Sequence, residues 1–189
     1  SEAPPIYIDR WPVDDLYNTL AGHVADLIDD GHCIAFSIGP LFEALTPHLA
    51  HKRHLGIHSP FFTDALMDLV KSGAVSNSRK ETYRGRSLVS YALGTKNLMQ
   101  WLDQNPMVEF QGIDKVFDPA QIGRNPKFNA IISARKIDLS GRIALQTGKG
   151  NIATGPGEVL DFFRGAEISE VGRPIFALPS RNLRRESNI

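Results

Sequence analysis

Cysteine is almost absent: Cys33 stands alone, so the chain can build neither an internal disulfide framework nor a cysteine-rich zinc site. It lies in the apolar run Cys33-Ile34-Ala35-Phe36 and reads as a small buried hydrophobe rather than a reactive thiol. Excess charge is missing too. Lys+Arg and Asp+Glu are 21 each, which removes the basic surplus that a general binder of nucleic acid or anionic membrane requires. Arg181, Arg184 and Arg185 form a short basic patch that reads as solvated charge. No apolar run is long enough to span a bilayer and no signal-peptide pattern opens the chain, so a reducing cytoplasm is the expected compartment. Internal repeats and low-complexity segments are lacking. So is a starting Met before Ser-Glu-Ala-Pro-Pro, which suggests a segment excised from a longer polypeptide.

What is present is ordinary globular material: 189 residues, 42% hydrophobic and 22% charged, enough for one domain of generous size with a real core. Residues 1–12 read as an extended lead-in arm, because Pro4, Pro5 and Pro12 favour extended backbone. From Val13, the residues Leu16, Leu20, Val24, Leu27 and Ile28 share a helical face. Asp14 and Asp15 suit its positive end and Gly31 follows its close. Cys33–Ile38 is a near-continuous apolar strand ended by Gly39-Pro40, as expected for burial on both faces of a parallel sheet.

A helix over 41–50 leads to the most informative stretch, HLGIHSPFFTDALMDLV at 54–70. It predicts a buried strand, a tight turn at Ser59-Pro60 and an amphipathic helix carrying apolar residues at 62, 65, 66, 69 and 70. His58 and Ser59 are expected exposed at the strand's carboxyl end, which is where open α/β sheets bind ligands. Further strands are expected at 86–93, 107–110, 128–133, 143–146 and 175–178. Helices are expected at 95–104 and, carrying Val159, Phe162, Phe163 and Ala166, after a glycine-rich loop at 148–157. The connection between 110 and 128 is expected to hold a short helix at most. Strands alternating with helices of this length predict an α/β fold, an open, mainly parallel sheet flanked by helices.

Several strings in common order resemble the acetyl-CoA hydrolase/transferase family, which includes acetate and 4-hydroxybutyrate CoA-transferases. They are IAFSIGPLFEAL (34–45), LGIHSP (55–60), SLVSYALGT (87–95), NPMVEFQGID (105–114), TGPGEVLDFFRGA (154–166) and RPIFALPS (173–180). The resemblance implies a CoA-transferase-like fold of two α/β lobes with the active site between them. Residues 13–189 then correspond to the front portion of the C-terminal catalytic lobe, truncated at its C-terminus, and the N-terminal lobe of the same polypeptide is the missing partner. It further implies a coenzyme A thioester of a short-chain acid as substrate, with no tightly bound cofactor.

In that family a glutamate attacks an acyl-CoA, and covalent acyl-glutamyl and glutamyl-CoA intermediates follow. The oxyanion donors such chemistry uses contribute on the order of 3 kcal/mol each. This chain departs from the pattern three times. Pro60 stands where the resemblance places the nucleophile, Ile132 where relatives carry an asparagine, and Glu158 where a GxGG loop has its second glycine. Three readings stay open: Glu158 or Glu43 supplies a relocated carboxylate; the pocket binds acyl-CoA without transferring it; or Glu158 is an acid stabilising a helix dipole, worth about 0.3–1 kcal/mol. Substrate or CoA contact is expected at Gly39, His58, Ser59, Gly155, Gly157 and Glu158. The amides of Gly148 and Gly150, and the Lys149 ammonium, also suit a phosphate or pantetheine arm.

All six histidines lie between 23 and 58. No acidic or cysteine partner accompanies them at ligand spacing, and no metal is expected. Trp101, Phe162 and Phe163 read as core and interface residues rather than a base-stacking platform. A severed sheet edge would favour self-association into a homo-oligomer.

Overall fold

The computed structural model describes residues 6–145, 147–148, 151–152, 157, 159–182 and 184–189. Its helices are α1 (Asp15–Ala25), α2 (Pro40–Leu49), α3 (Asp64–Lys71), α4 (Lys96–Leu102), α5 (Ile113–Val116), α6 (Pro119–Gly123) and α7 (Val159–Ile168). The strands are β1 (Cys33–Ala35), β2 (Gly56–Ile57), β3 (Phe61–Phe62), β4 (Ser87–Val89), β5 (Tyr91–Ala92), β6 (Val108–Phe110), β7 (Phe128–Ser133), β8 (Lys136–Ile137), β9 (Ile143–Ala144), β10 (Thr147–Gly148), β11 (Asn151–Ile152) and β12 (Arg173–Ala177).

The centre is a parallel sheet in the order β12-β7-β1-β2. A parallel bridge between His58 and Leu88, together with Ser59 N–H donating to the Leu88 carbonyl at 3.0 Å, joins the β4–β6 pair to its β2 side. Alternation along the strands divides the core in two. Ile34, Phe36, Ile57 and Ile131 pack with α1, α2 and α3 on one face. Cys33, Ala35, Ala130 and Ile132 pack with Val116, Ile122, Phe162 and Ala166 on the other. Helices on both faces explain why these strands are continuously apolar.

Helix starts follow capping chemistry. Asp14 accepts from Tyr17 N–H at the start of α1, and Thr95 accepts from Leu98 N–H at the start of α4. Two glycines let α7 lie close against α6: a Cβ at Gly165 would run into the Ile122 side chain, and one at Gly123 into Ile168.

The edge of β2 that faces away from β1 is irregular. Leu55 bridges to Val75, and His58 to Leu88. Between them, side chains replace the ladder. Asn77 Oδ1 accepts from Ile57 N–H at 2.8 Å, and Lys80 Nζ donates to the Ile57 carbonyl at 2.7 Å and to the Arg86 carbonyl at 2.8 Å. Gly56 makes room for the lysine stem, since a Cβ there would lie 2.7 Å from Lys80 Cγ.

Four sequence expectations are corrected. No hydrogen-bonded turn forms at Ser59-Pro60; the chain bends at Pro60 and runs directly into β3, which pairs in parallel with β5, and α3 starts only at Asp64. His58 and Ser59 are therefore not exposed at a strand end but enclosed at 0% exposure between β1 and β4. The 86–93 strand breaks into β4 and β5 opposite Pro60. There the Pro60 carbonyl accepts both Ser90 N–H (3.2 Å) and Tyr91 N–H (3.1 Å), a bulge-like arrangement that proline, lacking an N–H, permits without losing a donor. The 110–128 connection holds two short helices rather than one.

Residues 6–14 carry no regular secondary structure, and Ile8 N–H donates to the Gly94 carbonyl. Arg10 reinforces this attachment by donating to Glu43 Oε2 at 2.6 and 2.9 Å and to Asp68 Oδ2 at 2.7 Å. No helix among the described residues is long and apolar enough to cross a membrane.

Candidate functional site

Strand order decides where a cleft can open. From β1 the chain moves outward through β2, β4 and β6, then returns to lay β7 on the other side of β1. The connection leaving β1 feeds α2 on one face, while α7, which follows β7, packs on the opposite face. Neighbouring strands whose connections diverge in this way leave a crevice at their carboxyl ends, the usual ligand position in open α/β sheets.

A cleft of about 150 Å³ lies there. Strand β1 and its extension contribute Ala35, Phe36 and Ser37, and β7 contributes residues 130–133. Pro60 forms part of the wall, and Leu145, Val159 and Phe162 complete it from the opposite face. Residue 60 thus stands at the carboxyl rim of the sheet, beside the crevice. Its ring offers neither a carboxylate nor an N–H.

The other site candidates have distinct places. Ser59 Oγ donates to the Phe36 carbonyl at 2.8 Å and accepts from Phe36 N–H at 3.1 Å. His58 Nδ1 accepts from Asn125 Nδ2 at 3.1 Å, so its proton is on Nε2, which donates to the Val116 carbonyl at 2.8 Å. Burial, and secondarily the Lys80 charge, push its pKa down to about 3. Both side chains are fully enclosed and hold neighbouring backbone in place; neither lines the cleft. Ile132, 7% exposed, does line it.

Glu43 is not at the cleft. Its carboxylate, 8% exposed, is gripped by the Arg10 guanidinium. Burial raises its pKa against that pairing, and Asp64 and Asp68 add to the rise. A relocated nucleophile at Glu43 does not fit this placement.

Gly39 caps α2 with φ 121°, and Gly157 has φ 55°; a Cβ would meet open space at both. These backbone angles suit glycine; Gly39 is the N-cap of α2 and Gly157 lies two residues before α7. Gly155, Glu158, Lys149 and Gly150 lie outside the described residues.

The sequence reading missed a buried polar group behind residue 60. Asn77, Lys80, Thr82 and Asn125 are all 5% exposed or less. Asn125 Oδ1 accepts from Thr82 N–H and Oγ1 while its amide reaches His58, and Ser169 Oγ donates to the Asn125 carbonyl at 2.7 Å. Among the described residues Lys80 has no carboxylate partner, and burial lowers its pKa to about 8. In the sequence these residues fall in polar stretches such as NSRKET that look solvated; the one available signal was a polar loop lying between two apolar strands. The histidines disperse: His48 bonds Asn18, His54 faces Ser76 and His32 bonds Asn129. Among the described residues no group of three or more His, Cys, Asp or Glu is arranged to hold a metal ion.

Comparison with known proteins agrees with this architecture. A family model described as the acetyl-CoA hydrolase/transferase C-terminal domain matches residues 94–189. The chain is 35% identical over 177 residues to a 4-hydroxybutyrate coenzyme A transferase of Clostridium kluyveri, covering 94% of this chain and 41% of that protein. It is 33% identical over 162 residues to a succinyl-CoA:cyclohexane-1-carboxylate CoA transferase of Geobacter metallireducens, covering 86% and 37% respectively. The crystal structure of RipA from Yersinia pestis superposes with a TM-score of 0.91 at 31% identity, covering 98% of this chain and 42% of that one. The 4-hydroxybutyrate CoA-transferase of Porphyromonas gingivalis gives 0.85 at 28% identity, covering 98% and 44%. The chain spans about two fifths of the length of the curated relatives it matches. Sheet order, cleft position and matched sequence agree: the chain belongs to the acetyl-CoA hydrolase/transferase family.

Proposed function

We propose that the chain forms the C-terminal-lobe wall of an acyl-CoA site that binds the thioester without forming a glutamyl intermediate at residue 60. The observation that carries this reading is a coincidence of three features. Pro60 lies at the rim of β2 in the wall of the switch-point crevice, at the position where the resemblance of LGIHSP to the family pattern sets the nucleophile. The scaffold behind that position is intact, with Ser59, His58 and Asn125 holding the strand and its neighbours. The carboxylate is what is missing, since proline cannot attack a thioester and Glu43 is committed to Arg10.

Relatives named as CoA transferases supply the ligand class, a short-chain acyl-CoA. Their more than twofold greater length supports a first lobe of the same polypeptide as the opposing wall. The direct test follows CoA exchange and thioester hydrolysis with acetyl-CoA and a carboxylate acceptor, using the longest polypeptide that carries this chain. Binding without turnover is expected, as is recovery of exchange in Pro60→Glu. Turnover by the unaltered protein that disappears in Glu158→Gln would overturn the proposal in favour of a relocated carboxylate.

A further inference from the structure

We infer that the crevice beside Pro60 is an acyl-chain pocket selective for an uncharged apolar acyl group of about six carbons, over acetyl and over acyl groups ending in a carboxylate. This rests on the reading that the site takes CoA thioesters. It goes beyond that reading by placing chain-length selectivity in this lobe.

Chemistry and size both carry the inference. Pro60 and Ile132 put hydrocarbon where the family pattern has a carboxylate and an amide, and Ala35, Ala130 and Phe162 extend that apolar lining. Ser37 and Ser133 are the polar side chains of the wall; Ser133 is exposed, and Ser37 is half-buried like Leu145 and Val159. No Lys, Arg or His lines the crevice among the described residues. A terminal carboxylate entering it would lose its water with no cation among the described residues in return. An alkyl group would lose nothing. The volume of about 150 Å³ matches the apolar cavity size known to accept benzene, so about six carbons fill it. The small side chains of Ala35 and Ala130, from adjacent strands, make the space. Both are packed on that face, at 4% and 1% exposure.

The test is calorimetric titration of the longest polypeptide that carries this chain with free CoA and with acetyl-, butyryl-, hexanoyl-, octanoyl- and succinyl-CoA. Each methylene buried should tighten binding about fourfold, so hexanoyl-CoA should exceed acetyl-CoA on the order of a hundredfold. Octanoyl-CoA should gain nothing more, and succinyl-CoA should bind no better than acetyl-CoA. Ala130→Leu, which fills the crevice, should flatten the series. Ser37→Leu, at a half-buried position where folding tolerates change, should do so as well if the first variant misfolds. Equal affinity for CoA and every acyl-CoA would overturn the selectivity while leaving CoA binding intact. Absence of binding to any of them, free CoA included, would overturn both readings.

Discussion

Ser59 grips a single neighbour at both of its backbone groups, donating its hydroxyl proton to the Phe36 carbonyl and accepting the Phe36 N–H. Phe36 continues β1 into the cleft wall, so this clamp ties the rim of β2 to the rim of β1. Ser59→Ala removes both bonds from a fully buried position. The expected loss is about 2–3 kcal/mol, because buried backbone groups left unpaired cost more than a hydrogen bond contributes. Urea unfolding monitored by tryptophan fluorescence measures it; a loss below half a kcal/mol would show that the clamp is dispensable.

His58 gives the fold a defined acid sensitivity. Its folded pKa of about 3 lies below the unfolded value of about 6.5. Between those values the unfolded chain takes up a proton that the folded chain refuses. Stability is therefore full above about pH 6.5 and falls as pH drops toward 3, with a slope approaching about 1.4 kcal/mol per pH unit. His32, also lowered by burial, adds in the same direction. His58→Gln should be less stable near pH 7 but flatter with pH. Unfolding free energies at several values from pH 4.5 to 7.5 test this, and parallel curves would refute it.

Lys80 works at the other end of the scale. Burial holds its folded pKa near 8, against about 10.4 unfolded. From pH 8 to about 10.4 the unfolded chain keeps a proton that the folded chain has shed, so this lysine's contribution to stability rises with pH. The stability of the natural chain relative to Lys80→Met should accordingly increase across that window. A constant difference between pH 7 and 10 would mean that the ammonium is better solvated than its 1% exposure implies.

The close approach of α6 and α7 leaves no room for an added methyl group. Gly165→Ala gains at most about 1 kcal/mol of helix propensity. It also drives a methyl group into Ile122, a fully buried and β-branched side chain, where overpacking typically costs about 1–3 kcal/mol. The clash should prevail, lowering the melting temperature by several degrees. A rise on calorimetry would show that the helices can separate cheaply.

These positions also show what the sequence could and could not disclose. The β7 strand was legible to its ends, because the mainly apolar run Phe-Asn-Ala-Ile-Ile-Ser between Lys127 and Ala134 admits little else. The β1–α2 unit was similarly plain from Gly39-Pro40. Misreading began where one residue type serves two geometries: Ser59-Pro60 has turn chemistry, yet here the chain only bends at Pro60 on its way into β3, opposite the break between β4 and β5. The hairpin half at β8 went unrecognised because it is two residues long and flanked by charge. The crevice itself was invisible, because strand order arises from tertiary packing and no local pattern encodes it. The family motifs brought residue 60 to notice; only the return of β7 beside β1 explains why it borders a cavity.

At residue 60 the sheet draws on nothing but a carbonyl oxygen, which receives two amides from the neighbouring segment. Every amino acid carries that atom. The side chain at this position is therefore separable from the two hydrogen bonds that join it to the neighbouring segment, and its chemistry can change while those bonds are kept.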